Sequence, residues 1–264
     1  KLVEAGETRR DLWKLLMLNT RTPHLREGDL RAMLGSTRIG MQRVAALVEE
    51  LGADAAFSYF AGVLDHADRS FRAEIGRLPD GVYAAEDRSD NDCFEFRDVT
   101  VRLRLTITGD LVAIDFSGSD QQIRGFKNST LGNTYSAVYT ALASFLDPAL
   151  PHNEGAFRCV DVIAPSGSIV NAHEGASTTM CTVFFAHEII HAVWKALAQA
   201  DPARACAGWA KNVFGLSVGR EESGQQYIFY HGAAAAGAGA VEARDGFNQI
   251  GHVCTLGGLT MPNV

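Results

Sequence analysis

Residues 101 to 128 constrain the possible folds of this chain more than any other stretch. Two runs of alternating apolar residues, Val101 to Ile107 and Leu111 to Phe116, meet at Gly109-Asp110. Glycine accepts positive φ without a Cβ clash, so period-two patterning on both sides of Gly-Asp predicts a β-hairpin. A hairpin with one apolar face must lay that face on a core. The second strand ends in a polar cluster, Asp115, Ser117, Gly118, Ser119 and Asp120, whose amides and hydroxyls are free to point at a ligand.

Around this hairpin the periodicity divides the chain. Apolar residues recurring every three or four positions predict helices over 8–20 and 26–76, separated by Pro23 and interrupted at Gly52-Ala53. From Gly81 to Ser119 the period is two, giving strands at Val82 to Glu86, Phe94 to Ile107 and Leu111 to Phe116. A helix over Thr134 to Phe145 follows, then short strands over 156–164 and 168–171 about the turn Pro165-Ser166-Gly167. Residues 180–200 carry the most apolar helical pattern, and 212–218 and 225–230 read as strands ahead of a small-residue run, 232–240. The expected class is α+β: a helical front section, 1–78, then a core over 79–264 of mixed, largely antiparallel strands with packed helices, the whole forming one continuous domain.

Composition removes several functions. With 47% apolar and 21% charged residues, the 264-residue chain is long enough to bury a sizeable core. Its net charge of −7, with no clustered basic stripe, argues against a nucleic-acid partner. Cys93, Cys159, Cys181, Cys206 and Cys254 are odd in number and lie far apart, as expected of free thiols in the cytoplasm. In that compartment the sequon Asn128-Ser129-Thr130 has no chemical role. No apolar run reaches the roughly 18 residues that a membrane span needs. The chain starts at Lys1 inside a helical pattern and stops at Val264 without a closing element, so a piece of a longer subunit is expected.

Three motifs invite chemistry. His187-Glu-Ile-Ile-His191 matches H-E-x-x-H on a helix, which would place both imidazoles on one face for zinc. Trp194 stands where a metzincin needs glycine, no histidine follows at the next turn, and the helix is apolar nearly all round. His187 and His191 are therefore weak metal candidates, better read as packed core residues. The glycine-rich run at 232–239 lacks the Lys and hydroxyl of a phosphate loop and suits close backbone approach instead. The turn 151–158 holds Asn153, Glu154 and Arg158, which either satisfy local amides and an acid or stand in a cleft beside Asp115.

Taken in order, Arg21-Thr-Pro, Arg26-Glu-Gly-Asp-Leu-Arg-Ala32, Arg38-Ile-Gly40, Gly81-Val-Tyr83, Asp115-Phe-Ser-Gly-Ser119-x-x-Gln122-x-x-Gly125-x-x-Asn128, Asn153-Glu-Gly155, Arg158 and Pro165-x-Gly167 resemble the hydantoinase B/oxoprolinase family over nearly the whole chain. The resemblance implies a B subunit partnered with a hydantoinase A-type, ATP-binding subunit, and a ring amide activated by phosphorylation and then hydrolysed. In the acetone and acetophenone carboxylase branch it implies carboxylation instead. It also implies a divalent metal held by an Asp and two His upstream of Lys1, so no metal ligands in this chain, and a piece that is inactive alone. The substrate-pocket candidates are Asp115, Ser117, Ser119, Asn128, Asn153, Glu154 and Arg158. A non-catalytic assembly module is the competing reading.

Overall fold

The computed structural model describes residues 1–20, 22–179, 181–208, 215–231 and 237–246. They group into two compact units, one of residues 1–61 with 215–231, the other of the remaining described residues from 62 onward. The division falls inside a helix, α3 (Ala53–Ile75), and the first unit takes in a late hairpin along with the front section.

The first unit opens with a two-strand ribbon, β1 (Val3–Glu4) and β2 (Glu7–Thr8), turned by Ala5 and Gly6 at positive φ. Helix α1 (Arg10–Leu18) follows, then α2 (Pro23–Leu51). Pro23 occupies the first turn of α2, where its missing N–H costs nothing, so it begins the helix rather than merely separating two. Gly52, at φ +78, ends α2, and α3 restarts at Ala53. None of the 29 residues of α2 is buried, and Met33, Met41, Val44 and Leu47 are exposed. The hairpin β7 (Gly215–Arg220) and β8 (Gln226–His231) completes this unit.

The second unit is built on a four-stranded sheet in the order β3 (Gly81–Ser89), β4 (Val99–Thr108), β5 (Leu111–Asp115), β6 (Val160–Ile163). The hairpin read at Gly109-Asp110 is present: Thr108 faces Leu111 and Gly109 has φ +58. Alternation on β4 buries Val101, Leu103, Leu105 and Ile107 and leaves Arg102 and Arg104 exposed. Over the buried face lie α5 (Phe184–Ala200), packed on β3 and β4, and α4 (Leu131–Phe145), packed on α5. Phe71, Phe116, Phe185, Leu142, Ile189 and Leu197 are fully buried in the shared core. Together with the antiparallel pairs, this is an α+β fold.

Several elements depart from the sequence pattern, each for a local reason. Phe94 to Arg97 form a loop because Asp92 Oδ1 accepts from the amides of Phe94 and Glu95, at 2.9 Å each, and so turns the chain away from the ladder. Residues 168–171 make a tight turn closed by a Ser168–Asn171 bridge after Gly167, at φ +83. The pair β5–β6 is parallel, Val112 facing Val160 and Asp115 facing Ile163, with α4 as the crossover. Met180, 209–214 and 232–236 lie outside the described residues. At the described end of the small-residue run, Gly239 N donates to Gly208 O at 2.6 Å, a close backbone approach that an added Cβ would obstruct.

Candidate functional site

Strand directions bring the loops 89–99, 116–130 and 164–179 to one end of the sheet, beside Asp115. Asp115 closes β5 and accepts from the Ser117 amide at 2.8 Å; bonding from the Ser117 hydroxyl, and then from that amide, holds its carboxyl below the usual range. It is an ionised acceptor at the mouth of this loop layer.

Beyond Asp115 the chain leaves the ladder, and side chains satisfy the backbone of β4 that it vacates. Ser119 Oγ accepts from Arg102 N at 3.0 Å and donates to Arg102 O at 2.9 Å. Asp120 accepts from Thr100 N at 2.9 Å and from the Arg102 guanidinium at 2.7 Å. The guanidinium of Arg102 is raised, chiefly by the Asp120 hydrogen bond. Arg97, Ser119, Asp120, Gln121 and Gln122 line a concave surface here of about 420 Å³.

Beneath it lies a buried polar layer. Asn128, fully buried, accepts from Ile123 N at 2.7 Å and donates to the carbonyls of Ile123, Gly125 and Ser177 at 2.8 to 3.0 Å. Ser129 Oγ and Thr134 Oγ1 are 3.0 Å apart, Thr134 donates to Val170 O, and Asn133 donates to Ser129 Oγ at 2.8 Å and Cys181 O at 3.0 Å. Lys127, 7% exposed, donates to Ser89 Oγ at 2.9 Å and Asn91 Oδ1 at 2.7 Å, with Nζ 5.5 Å from the Phe184 ring centroid. Gly125 admits this packing, because a Cβ there would strike Asp92 O and Cys93.

The structure divides the seven pocket candidates. Asp115, Ser117, Ser119 and Asn128 share the end just described. Asn153, Glu154 and Arg158 precede β6, and β6 runs parallel to β5, so they sit at the opposite end, near Val112 rather than beside Asp115. There Asn153 Oδ1 caps the short 3-10 turn Glu154–Phe157 by accepting from Gly155 N at 2.9 Å, Glu154 is exposed, and Arg158 pairs with Asp65 at 2.8 Å. Arg158, Thr106, Thr108, Cys159 and Asp161 line a second concavity of about 460 Å³. Burial pushes the Cys159 thiol up.

Sequence reasoning singled out neither Lys127 nor Gln122 as a site residue. Gln122 accepts from His173 N at 2.7 Å, and its signal was the Ser119-x-x-Gln122-x-x-Gly125-x-x-Asn128 spacing. A buried lysine bonded to neutral oxygens has no sequence signature.

His187 and His191 lie on the buried face of α5. His191 Nδ1 is 3.3 Å from Asp87 Oδ2, its ring stacks on Trp194, and Lys195 Nζ is 3.5 Å from Asp87 Oδ1. Among the described residues no group of three or more His, Cys, Asp or Glu is placed to hold a metal ion. Nor, among the described residues, is any helix long and apolar enough to cross a membrane.

Residues 1–263 match Hydantoinase B/oxoprolinase, and the chain belongs to that family. It is 32% identical over 264 residues to the caprolactamase subunit beta of Pseudomonas jessenii, covering 98% of this chain and 45% of that protein. The crystal structure of the ATP-dependent caprolactamase from Pseudomonas jessenii superposes with a TM-score of 0.86 at 32% identity, over 96% of this chain and 44% of that one. A nucleotide-free acetone carboxylase structure shares the fold at a TM-score of 0.84 and 19% identity, over 99% of this chain and 37% of that one. The chain thus spans less than half the length of the curated relatives it matches.

Proposed function

We propose that this chain forms part of the B subunit of an ATP-dependent cyclic-amide hydrolase that works in the cytoplasm with a hydantoinase A-type, ATP-binding subunit. The observation that carries the reading is the family match over residues 1–263, together with 32% identity to a caprolactamase beta subunit. An amide carbonyl is a poor electrophile. Transfer of a phosphoryl group from ATP to the amide oxygen makes the carbon electrophilic; water adds to it, the ring C–N bond breaks with the nitrogen leaving as the amine, and a second water hydrolyses the resulting acyl phosphate, releasing phosphate. The products are the ring-opened amino acid, ADP and phosphate.

In this reading a divalent metal is held by residues outside this chain. Asp115, Ser117 and Ser119 form the wall of the substrate pocket, and Asn128 fixes the loop behind them. Asp115, ionised and backed by Ser117, would accept a hydrogen bond from a ring N–H; its lowered carboxyl supports that role. The exposed apolar side chains of α2 favour burial against a partner alongside this chemistry. The non-catalytic assembly-module reading puts that contact on the apolar helical run 180–200, whose apolar face, on α5, is instead buried in the core of its own unit.

The test is the full-length subunit co-expressed with its A-type partner and offered caprolactam, hydantoin and 5-oxoproline. Ring-opened product matched by ADP is expected, and the 264-residue piece alone should be inactive. Bicarbonate-dependent product would move the protein to the carboxylase branch. Asp115→Ala is expected to lower kcat/KM at least tenfold; full activity in that variant would leave only the assembly role.

A further inference from the structure

In the first unit, α1 and α2 enclose a cleft of about 450 Å³ lined by Thr8, Arg10, Trp13, Arg31, Leu34, Gly35 and Arg38. Three guanidinium groups therefore border one concavity in a chain whose net charge is −7. Arg31 and Arg38 stand seven residues apart on one face of α2, about 10 Å along its axis. Between them Gly35 leaves bare helix, with nothing within 4 Å of an added Cβ, so a ligand can reach the space between the two cations.

The three arginines differ in their partners. Arg31 is fixed, bonded to Glu27 at 2.7 Å and lying 5.4 Å from the Trp13 ring centroid. Arg10 and Arg38 make no ion pair among the described residues, whereas the neighbouring Arg9 and Arg26 pair with Asp11 and Asp29. A cleft lined by like charges concentrates positive potential and draws an anion. Guanidinium forks match the geometry of an oxyanion, and the volume suits a small molecule.

We propose that this cleft binds a phosphate-bearing small molecule, its oxyanion held by Arg10 and Arg38 and its organic part laid on Trp13 and Leu34. The inference rests on the cleft alone and stands whether or not the cyclic-amide activity is found.

Calorimetric titration of the full chain at low ionic strength with pyrophosphate, inorganic phosphate and adenosine monophosphate tests it. Binding of at least one probe is expected, weakened at least tenfold by joint Arg10→Gln and Arg38→Gln substitution. Arg43→Gln, on α2 but outside the cleft, should leave it unchanged, with the helical circular dichroism of all variants intact. Tighter binding of adenosine monophosphate than of inorganic phosphate supports an organic phosphate; equal binding assigns the cleft to free phosphate. No binding, binding retained by the double variant, or equal loss in Arg43→Gln overturns the proposal. So does tighter binding of a glutamate-rich peptide than of pyrophosphate, which would mark the cleft as a protein-docking surface.

Discussion

At the Asp115 end of the sheet, Lys127, Asn128, Ser129, Asn133 and Thr134 are buried and bonded largely to backbone carbonyls of neighbouring loops. At the other end, Arg158 and Asp65 pair in solvent, and the structural weight falls on rings and close contacts. Tyr139 stacks on Phe157 with centroids 4.1 Å apart, and Gly155 lies so near Leu64 O that no Cβ fits. One end holds irregular backbone in place with a buried hydrogen-bond network; the other closes the crossover by packing. An end built from loops and polar side chains has groups left to offer a ligand, whereas a packed end offers mostly surface.

The largest expected effect comes from cutting the polar network. Asn128→Ala would leave the Ile123 amide and the carbonyls of Ile123, Gly125 and Ser177 without their partner, a cost of about 3 to 5 kcal/mol read as a drop in denaturation midpoint. A loss below about 1 kcal/mol would break the contrast between the two ends. Gly155→Ala comes next: its Cβ forces either α3 or the 3-10 turn to move, at about 2 kcal/mol or more, although the substitution adds a single methyl group. Arg158→Ala, removing an exposed pair at the same end, should cost under about 1 kcal/mol.

The smallest expected effect is local and depends on pH. The Glu95 amide, then the Arg97 guanidinium and the Phe94 amide, lower the Asp92 carboxyl to about 2. The unfolded value is about 3.9, so ionised Asp92 stabilises the 92–97 loop above about pH 4, and this contribution fades as pH falls through about 2. Hydrogen-exchange protection at Phe94 and Glu95 should fall over that window and be lost at neutral pH in Asp92→Ala. Protection unchanged down to pH 2 would show that the loop is held by something other than this carboxylate.

The hairpin at Gly109-Asp110 was legible because turn chemistry and alternation are local, and Thr134 to Phe145 and the apolar run of α5 were legible from their helical period. The loop at Phe94 to Arg97 was not, because its residues favour a strand and only the capture of two amides by Asp92 bends them away. Four of the seven pocket candidates, Asp115, Ser117, Ser119 and Asn128, share one end of the sheet because they follow one strand end along the chain. The placement of Asn153, Glu154 and Arg158 depends on β6 pairing parallel to β5, a contact between residues nearly fifty positions apart that no local pattern encodes. The histidines of α5 illustrate the same limit, since the acid facing His191 is Asp87, contributed by β3 from far upstream.

That distance sets an order of assembly. Strands β3, β4 and β5 are neighbours both in sequence and in the sheet, so they can pair as soon as residue 115 has emerged from the ribosome. Asp87 is then fixed on the apolar side of a three-stranded sheet before the helix that carries His191 and Lys195 has been translated. Until α5 docks, water must solvate that carboxylate and the face cannot dry. Desolvation of Asp87 is thereby expected to belong to the last step of folding, so Asp87→Asn should change the unfolding rate more than the folding rate, as relaxation kinetics would show.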